Sequence, residues 1–232
     1  MTIVIDYSQV YTVSTLLVKR GDGIPVNNEK ISNRKAKAIQ TKRRIYETAD
    51  QLFRKYGFEN VSVDSIVEKA GVSKGTFYVY FDSKNSLAAA LLNDFVNEVD
   101  LDYKSYVESF DTKTAASDIL ISLIGKIADT LNYSIGLSNM KTLYKVQITK
   151  TINADIVMDY DRELYKIFSD IISRGVQRGE FITDIPVDIL TKHCVLAIRG
   201  LSYEWCIRQP DFDLKEKALK HFEILLSGIK KR

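Results

Sequence analysis

Three features of the sequence predict an all-α fold. The 232 residues include only three prolines. Long stretches rich in Leu, Ile, Lys and Glu favour helix over strand. Apolar residues recur at helical spacing through most of the chain. The succession of helices predicts an N-terminal three-helix unit containing a helix-turn-helix over residues 34–84, fused to a C-terminal helical domain over 85–232.

Residues 1–33 stand apart. Ile3, Ile5 and Tyr7 alternate as a short strand would, and Gly21, Gly23 and Pro25 then interrupt the chain. Two readings stay open for this extension: a poorly ordered arm, or upstream sequence from a misassigned start. The first helix is expected from Arg34 to Tyr56, with Ile45, Ala49, Leu52, Phe53 and Tyr56 forming one apolar stripe and Gly57 supplying a left-handed stop. Ser62 is a natural N-cap for a second helix over Val63–Ala70, and Ser73 for a third. Ile66, Val67, Ala70, Phe77 and Phe81 are expected to face a three-helix core. A fourth helix should begin near Lys84, capped by Asp82 or Ser83, with Leu87, Leu91, Phe95 and Val99 as its buried stripe. It continues without a linker, a rigid rod leading out of the first domain. Further helices are expected at 113–133, 137–149, 154–178, 186–209 and 214–230. Gly136, Gly179 and Pro186 punctuate them, with Pro186 at a first helical position. Asp213 and Glu216 suggest a capping box.

The run Val72-Ser73-Lys74-Gly75-Thr76-Phe77-Tyr78-Val79-Tyr80-Phe81-Asp82, preceded by Gly71 and a short amphipathic helix, has the pattern of a helix-turn-helix. The second helix of such a unit enters the DNA major groove and meets base edges with its N-terminal residues. Here those are Lys74, Gly75, Thr76 and Tyr78. Lys donates to guanine, and the Thr methyl meets a thymine methyl. Ser62 and Thr41 are expected near helix N-termini, where the dipole favours phosphate. Arg34, Lys35 and Lys37 suit a minor-groove arm or a solvated surface. Charge agrees with this reading. Residues 30–85 hold 12 Lys/Arg against six Asp/Glu, or +6, so the remainder sums to −3 of a total of +3. A basic head on a mildly acidic body is the electrostatic footprint of phosphate contact.

Between Thr41 and Leu87 the chain resembles the TetR family of transcriptional regulators. The resemblance is carried by Ala49, Leu52-Phe53 and Tyr56-Gly57-Phe58, then Ser62-Val63, Ile66-Val67 and Ala70-Gly71-Val72-Ser73. Gly75-Thr76-Phe77-Tyr78, Tyr80-Phe81 and Lys84 complete the series. Beyond Leu87 only overall length and helical layout agree, and the extension departs from the family pattern. The resemblance implies that Tyr78 and Tyr80 contact backbone or base, that Lys84 contacts phosphate, and that Ser73 belongs to the DNA-binding set. It further implies a homodimer on a palindromic operator, formed through the last two helices. Leu190, Ala197, Leu201, Leu219, Phe222 and Leu226 suit such a seam, or an ordinary core. It implies as well a ligand-binding domain for a small-molecule effector among the middle helices. Tyr103, Tyr106, Met140, Tyr144, Gln147 and Tyr160 would supply the aromatic walls and polar tips of the pocket, although core packing accounts for any one of them. Effector binding would shift the fourth helix and release DNA.

Other functions find little in the sequence. His193 and His221 are well separated and have no Cys or carboxylate cluster at metal-ligand spacing. No Gly-rich phosphate loop occurs, so neither catalysis nor a cofactor is expected. Asp155, Asp159, Asp161 and Glu163 read as a solvated helix face. Cys194 and Cys206, 12 residues apart on one helix, would lie roughly 18 Å apart, beyond disulfide reach, and read as buried free thiols. No stretch approaches a membrane span. With Asp6 and no early Lys/Arg there is no secretory signal pattern, and a cytoplasmic protein is expected. Two alternatives remain: an architectural DNA-binding protein without an effector, and a helical enzyme or binding protein that keeps the DNA head as a relic.

Overall fold

The computed structural model describes residues 28–182, 184–208 and 211–231. The expectations for residues 1–27 and for the Arg34 side chain lie outside the described residues. Nine α-helices occur among them, and the chain divides between Tyr80 and Phe81 into two compact units.

In the first unit, α1 (Asn28–Tyr56), α2 (Val63–Ala70) and α3 (Lys74–Tyr80) pack on one another. α1 begins six residues before the expected Arg34; Asn28 to Asn33 contain neither Gly nor Pro to interrupt it. Ile45, Ala49 and Leu52 are buried as expected, with Ile66, Val67, Ala70 and Phe77 facing them. Tyr56 departs from the predicted stripe. It is exposed, with the Lys55 ammonium 5.1 Å from its ring. Phe53 is half-buried and meets Phe58 edge-on at 5.4 Å across the Gly57 turn, where φ is +79°. Ser62 caps α2 in a reciprocal box with Ser65. At the other end Gly71, with φ 62° and ψ 43°, closes a Schellman turn: its N–H reaches the Glu68 carbonyl, and Val72 N–H reaches Val67. This turn fixes the angle at which α3 leaves α2. Ser73 caps α3, its Oγ accepting from Thr76 N–H at 3.1 Å.

The second unit holds α4 (Lys84–Glu108), α5 (Ala116–Asp129), α6 (Leu137–Thr149), α7 (Glu163–Gln177), α8 (Val187–Arg208) and α9 (Leu214–Ile229). Ser83, rather than Asp82, caps α4 with a Ser86 box. Its buried face is Leu87, Ala88, Val96, Asp100 and Tyr103. Leu91, Phe95 and Val99 are only half-buried. The stripe is rotated because a carboxylate, Asp100, occupies a core position. α5 is apolar nearly all round, and α4, α7 and α9 surround it. It ends at Asp129, four residues short of expectation, where a π-helical turn, Thr130–Ile135, leads to Gly136. The segment expected as one helix from 154 to 178 is broken. A 3-10 turn spans Asp155–Val157, and α7 starts only at Glu163. The Asn153 and Asp159 side chains accept from the N–H two residues on, the local bonding by which such residues compete with helix. Asp155 therefore lies in the 3-10 turn, and Asp159 and Asp161 in the segment between it and α7. Pro186 stands outside α8, its carbonyl accepting the first helical bonds from Ile189 and Leu190, so it is an N-cap rather than a first helical residue. Asp213 caps α9 by accepting from Glu216 N–H at 2.7 Å, while the Glu216 carboxylate takes Lys220.

Glu180, between α7 and α8, joins three elements. Its carboxylate caps α5 at Ala116 N–H, 2.7 Å away, and its carbonyl accepts from Lys231 N–H beyond α9. The adjacent Phe181 is fully buried and closes on Gly175, where an added Cβ would overlap the ring and lie 3.0 Å from the Ala116 Cβ. Gly175→Ala is expected to cost about 1–3 kcal/mol, the usual result of overpacking, seen as a lower urea midpoint. An unchanged midpoint would mean that the ring moves aside freely.

Candidate functional site

The turn at Gly71 presents the start of α3 to solvent. Ser73, Lys74, Gly75 and Tyr78 are exposed, Thr76 and Tyr80 are half-buried, and Val79 is exposed. Phe77 is fully buried and stacks edge-on against Tyr78 at 5.4 Å, so the core residue also orients the exposed ring. The Thr76 hydroxyl is bonded to Ser73 Oγ at 2.8 Å, which leaves its methyl as the group free for a base edge. Lys74 Nζ lies 2.8 Å from Asp64 Oδ1, and this hydrogen bond raises the ammonium pKa above its ordinary value. The backbone of Gly75 is open. Among the described residues a Cβ there would find only Ser73 Oγ, at 3.8 Å.

One sequence-predicted residue sits differently from expectation. Thr41 is not near a helix N-terminus, because α1 begins at Asn28; its hydroxyl donates to the Lys37 carbonyl at 2.8 Å. Ser62 is at an N-terminus, but its hydroxyl oxygen already accepts from Ser65 N–H. Lys84 is the first residue of α4 and half-buried. Only Phe81, Asp82 and Ser83 separate it in sequence from α3.

The six residues expected to line a pocket do not share one environment. Tyr103 and Met140 are buried in the main core, and burial pushes the Tyr103 phenol up to about 12. Tyr106 is half-buried and meets Phe110 edge-on at 5.3 Å. Tyr160 is exposed, with Lys192 Nζ 5.2 Å from its ring. Tyr144 and Gln147 share α6. The Tyr144 hydroxyl is 2.7 Å from Ser202 Oγ on α8, and the buried Gln147 Nε2 has no hydrogen-bond partner among the described residues. An open cleft of about 480 Å³ lies elsewhere, lined by Ala89 and Asn93 of α4 and by Asn153, Asp155, Ile156, Met158 and Asp159.

Sequence reasoning missed a polar network inside this unit. Arg162 forms a two-pronged pair with Asp100, Nε to Oδ2 at 2.7 Å and Nη2 to Oδ1 at 2.6 Å. Leu164 N–H donates to the same carboxylate at 3.1 Å. Arg199 of α8 donates to the Tyr165 hydroxyl and to the Val157 carbonyl, and burial lowers its pKa. Asp100 and Arg162 lie 62 residues apart in sequence, so no local spacing signals the pair.

Comparison with known proteins matches this arrangement. The model of the bacterial regulatory proteins of the tetR family matches residues 45–91, from mid-α1 into α4. The likeness to the TetR family lies in the helix-turn-helix and the helices on either side of it. Two relatives extend the likeness along the chain. The HTH-type transcriptional regulator AcrR of Shigella flexneri is 24% identical over 202 residues, covering 83% of this chain and 90% of that protein. The fatty acid metabolism regulator protein of Bacillus subtilis (strain 168) is 24% identical over 193 residues, covering 80% and 93%. Among solved structures, FadR from Bacillus subtilis in complex with stearoyl-CoA superimposes with a TM-score of 0.59 at 21% identity, covering 81% of this chain and 98% of that one.

The last two helices place most of the six candidate seam positions in the core, the second of the two readings that the sequence left open, and carry a separate row of exposed apolar residues. Leu190, Leu201, Phe222 and Leu226 are buried within the protomer, and Ala197 and Leu219 are half-buried. The exposed apolar residues of α8 are instead Ile189, Leu196, Tyr203 and Ile207. With His193 and Gly200, also exposed, they alternate at spacings of four and three, the repeat of a helix–helix seam. Ile224 of α9 is 73% exposed, and among the described residues neither Gly200 nor Gly228 has an atom within 4 Å of an added Cβ. α8 is apolar on two faces, so its pattern alone does not tell the core face from the exposed one.

Proposed function

We propose that this protein is a homodimeric, sequence-specific DNA-binding transcriptional regulator, a repressor released by a small-molecule effector, acting in the cytoplasm. The observation that carries the reading is the start of α3, where Lys74, Gly75, Thr76 and Tyr78 stand at the surface on a helix seated by buried Phe77. Lys74, the Thr76 methyl and Tyr78 read base edges. Ser62, Ser73, Tyr80 and Lys84 take the phosphates or backbone on either side, and Thr41 lends its position on α1. Contacts to phosphate set register and contacts to bases specify sequence. The open seam on α8 and α9 supports pairing of two protomers, giving two reading heads for a palindromic operator. No helix among the described residues is long and apolar enough to cross a membrane.

The effector is assigned to the second unit, with Tyr144 and the Gln147 Nε2, unpartnered among the described residues, as its polar contacts. The stearoyl-CoA in the Bacillus subtilis FadR structure makes a lipophilic acyl compound a natural first probe. Effector and DNA must weaken each other by the same factor, typically about 5–150-fold. A ligand that stabilises the second unit and leaves DNA affinity unchanged would favour the effector-free architectural reading.

The test is selection of duplexes from a random pool. An inverted repeat is expected, its half-site centres about 34–36 Å apart or a multiple of that. Gly75→Ala sharpens it. Alanine should favour the helix by up to about 1 kcal/mol and meets nothing among the described residues closer than 3.8 Å. The melting temperature should hold or rise while affinity for the selected duplex falls. Unaltered affinity would remove the start of α3 from the DNA contact.

A further inference from the structure

We propose that Asp64 sets the sequence discrimination of the reading helix by holding the Lys74 ammonium away from phosphate and leaving it a donor for base edges. The inference rests on the DNA-binding reading above. Lys74 is the first residue of α3 and Asp64 the second of α2, and the ammonium sits over both carboxylate oxygens, 2.8 Å from Oδ1 and 3.1 Å from Oδ2. The contact reaches across the helix-turn-helix, between residues ten apart in sequence.

This pair is not what holds α2 and α3 together. Both partners are exposed, Asp64 at 72% and Lys74 at 54% of their side chains, and ion pairs so exposed contribute little to stability. The Schellman turn at Gly71 and the buried Ile66, Val67 and Phe77 already fix the two helices. What the carboxylate does control is the choice of acceptor. An ammonium has three N–H donors. With two directed at Asp64, the third remains for a neutral acceptor such as guanine O6 or N7. A phosphate taken by the same ammonium would bring its negative charge against that of Asp64. The carboxylate therefore penalises the contact that every duplex offers and permits the one that depends on sequence. Asp64 is a positioning residue in this scheme: it acts through Lys74.

The experiment uses the full chain, the duplex selected from the random pool, and a scrambled duplex of the same length and composition. Asp64→Asn removes the charge and little else. Affinity for the scrambled duplex should rise about three- to fivefold, and its salt dependence should steepen by about 0.9 as Lys74 takes up one phosphate. Affinity for the selected duplex should change by less, so the ratio of the two falls. In a Lys74→Ala background the same substitution should no longer change that ratio. Equal tightening on both duplexes, an unchanged ratio, or an effect that persists without Lys74 would each overturn the proposal. Asp64→Glu keeps the charge and should keep wild-type discrimination, which provides a readout if the Asn variant folds poorly; its loss of discrimination would count against the proposal. If the wild-type protein enriches no sequence from the pool, the DNA-binding reading fails first and is recognised separately.

Discussion

Leu196→Glu is expected to turn the protein into a folded monomer that no longer binds its operator. Leu196 lies mid-way along the exposed seam of α8 and is 54% exposed in the single chain, so a glutamate there costs the protomer little. Across a two-fold interface each seam residue meets the same surface of its partner, and two carboxylates would enter one apolar contact. A buried, unpaired charge is heavily penalised, enough to separate subunits at micromolar concentration. Each head would then meet one half-site alone. Leu201→Glu is the informative control. Leu201 is 8% exposed and belongs to the main core, so its loss should appear as unfolding in circular dichroism, not as clean dissociation. Sedimentation velocity of both variants distinguishes the cases, and a Leu196→Glu protein that stays dimeric would move the interface elsewhere.

The second large effect is expected at Arg162. Its side chain is 11% exposed and that of Asp100 only 2%, so Arg162→Leu would leave a buried carboxylate with only the Leu164 N–H from its present partners. Breaking a buried pair from one side typically costs about 3–5 kcal/mol, a large part of the stability of most domains. Urea unfolding followed through the second unit should show the loss. Asp100→Leu combined with Arg162→Leu should recover much of it, because replacing both charges with apolar groups is often neutral or stabilising. A single Arg162→Leu variant within about 1 kcal/mol of wild type, near the scale where surface changes fall, would show that the pair is dispensable.

The first unit was almost wholly legible in the sequence because its determinants are local. Ser62 and Ser73 cap helices that begin at the next residue, Gly71 and Gly57 end helices by adopting positive φ, and a short period places Ile45, Ala49 and Leu52 on one face. The start of α1 was misjudged, and with it the setting of Thr41. Ser32 and Asn33 are residue types that favour an N-cap, yet both lie inside the helix, so composition there points to a boundary that the backbone does not take. In the second unit the helices were found but their faces were not always right. The α4 face turns on Asp100, whose burial requires a partner 62 residues away. The break before α7 depends on two Asx turns that compete with helix over a few residues. The six predicted pocket residues scatter because an aromatic ring with a polar tip suits a core, a ring pair or a cation contact equally well. The Asp64–Lys74 pair crosses a turn, and nothing in the order of residues signals it.

Trp205 is the only tryptophan of the chain, and it is 2% exposed in the core of the second unit. Its emission therefore reports on the second unit alone. An unfolding curve followed at the indole wavelength traces the second unit, while far-ultraviolet dichroism sums both units. Where the two curves coincide, head and body melt as one; where they separate, the gap measures how far each stands alone. Optical readout of ligand binding, subunit exchange and stability thus comes without a dye or an added label.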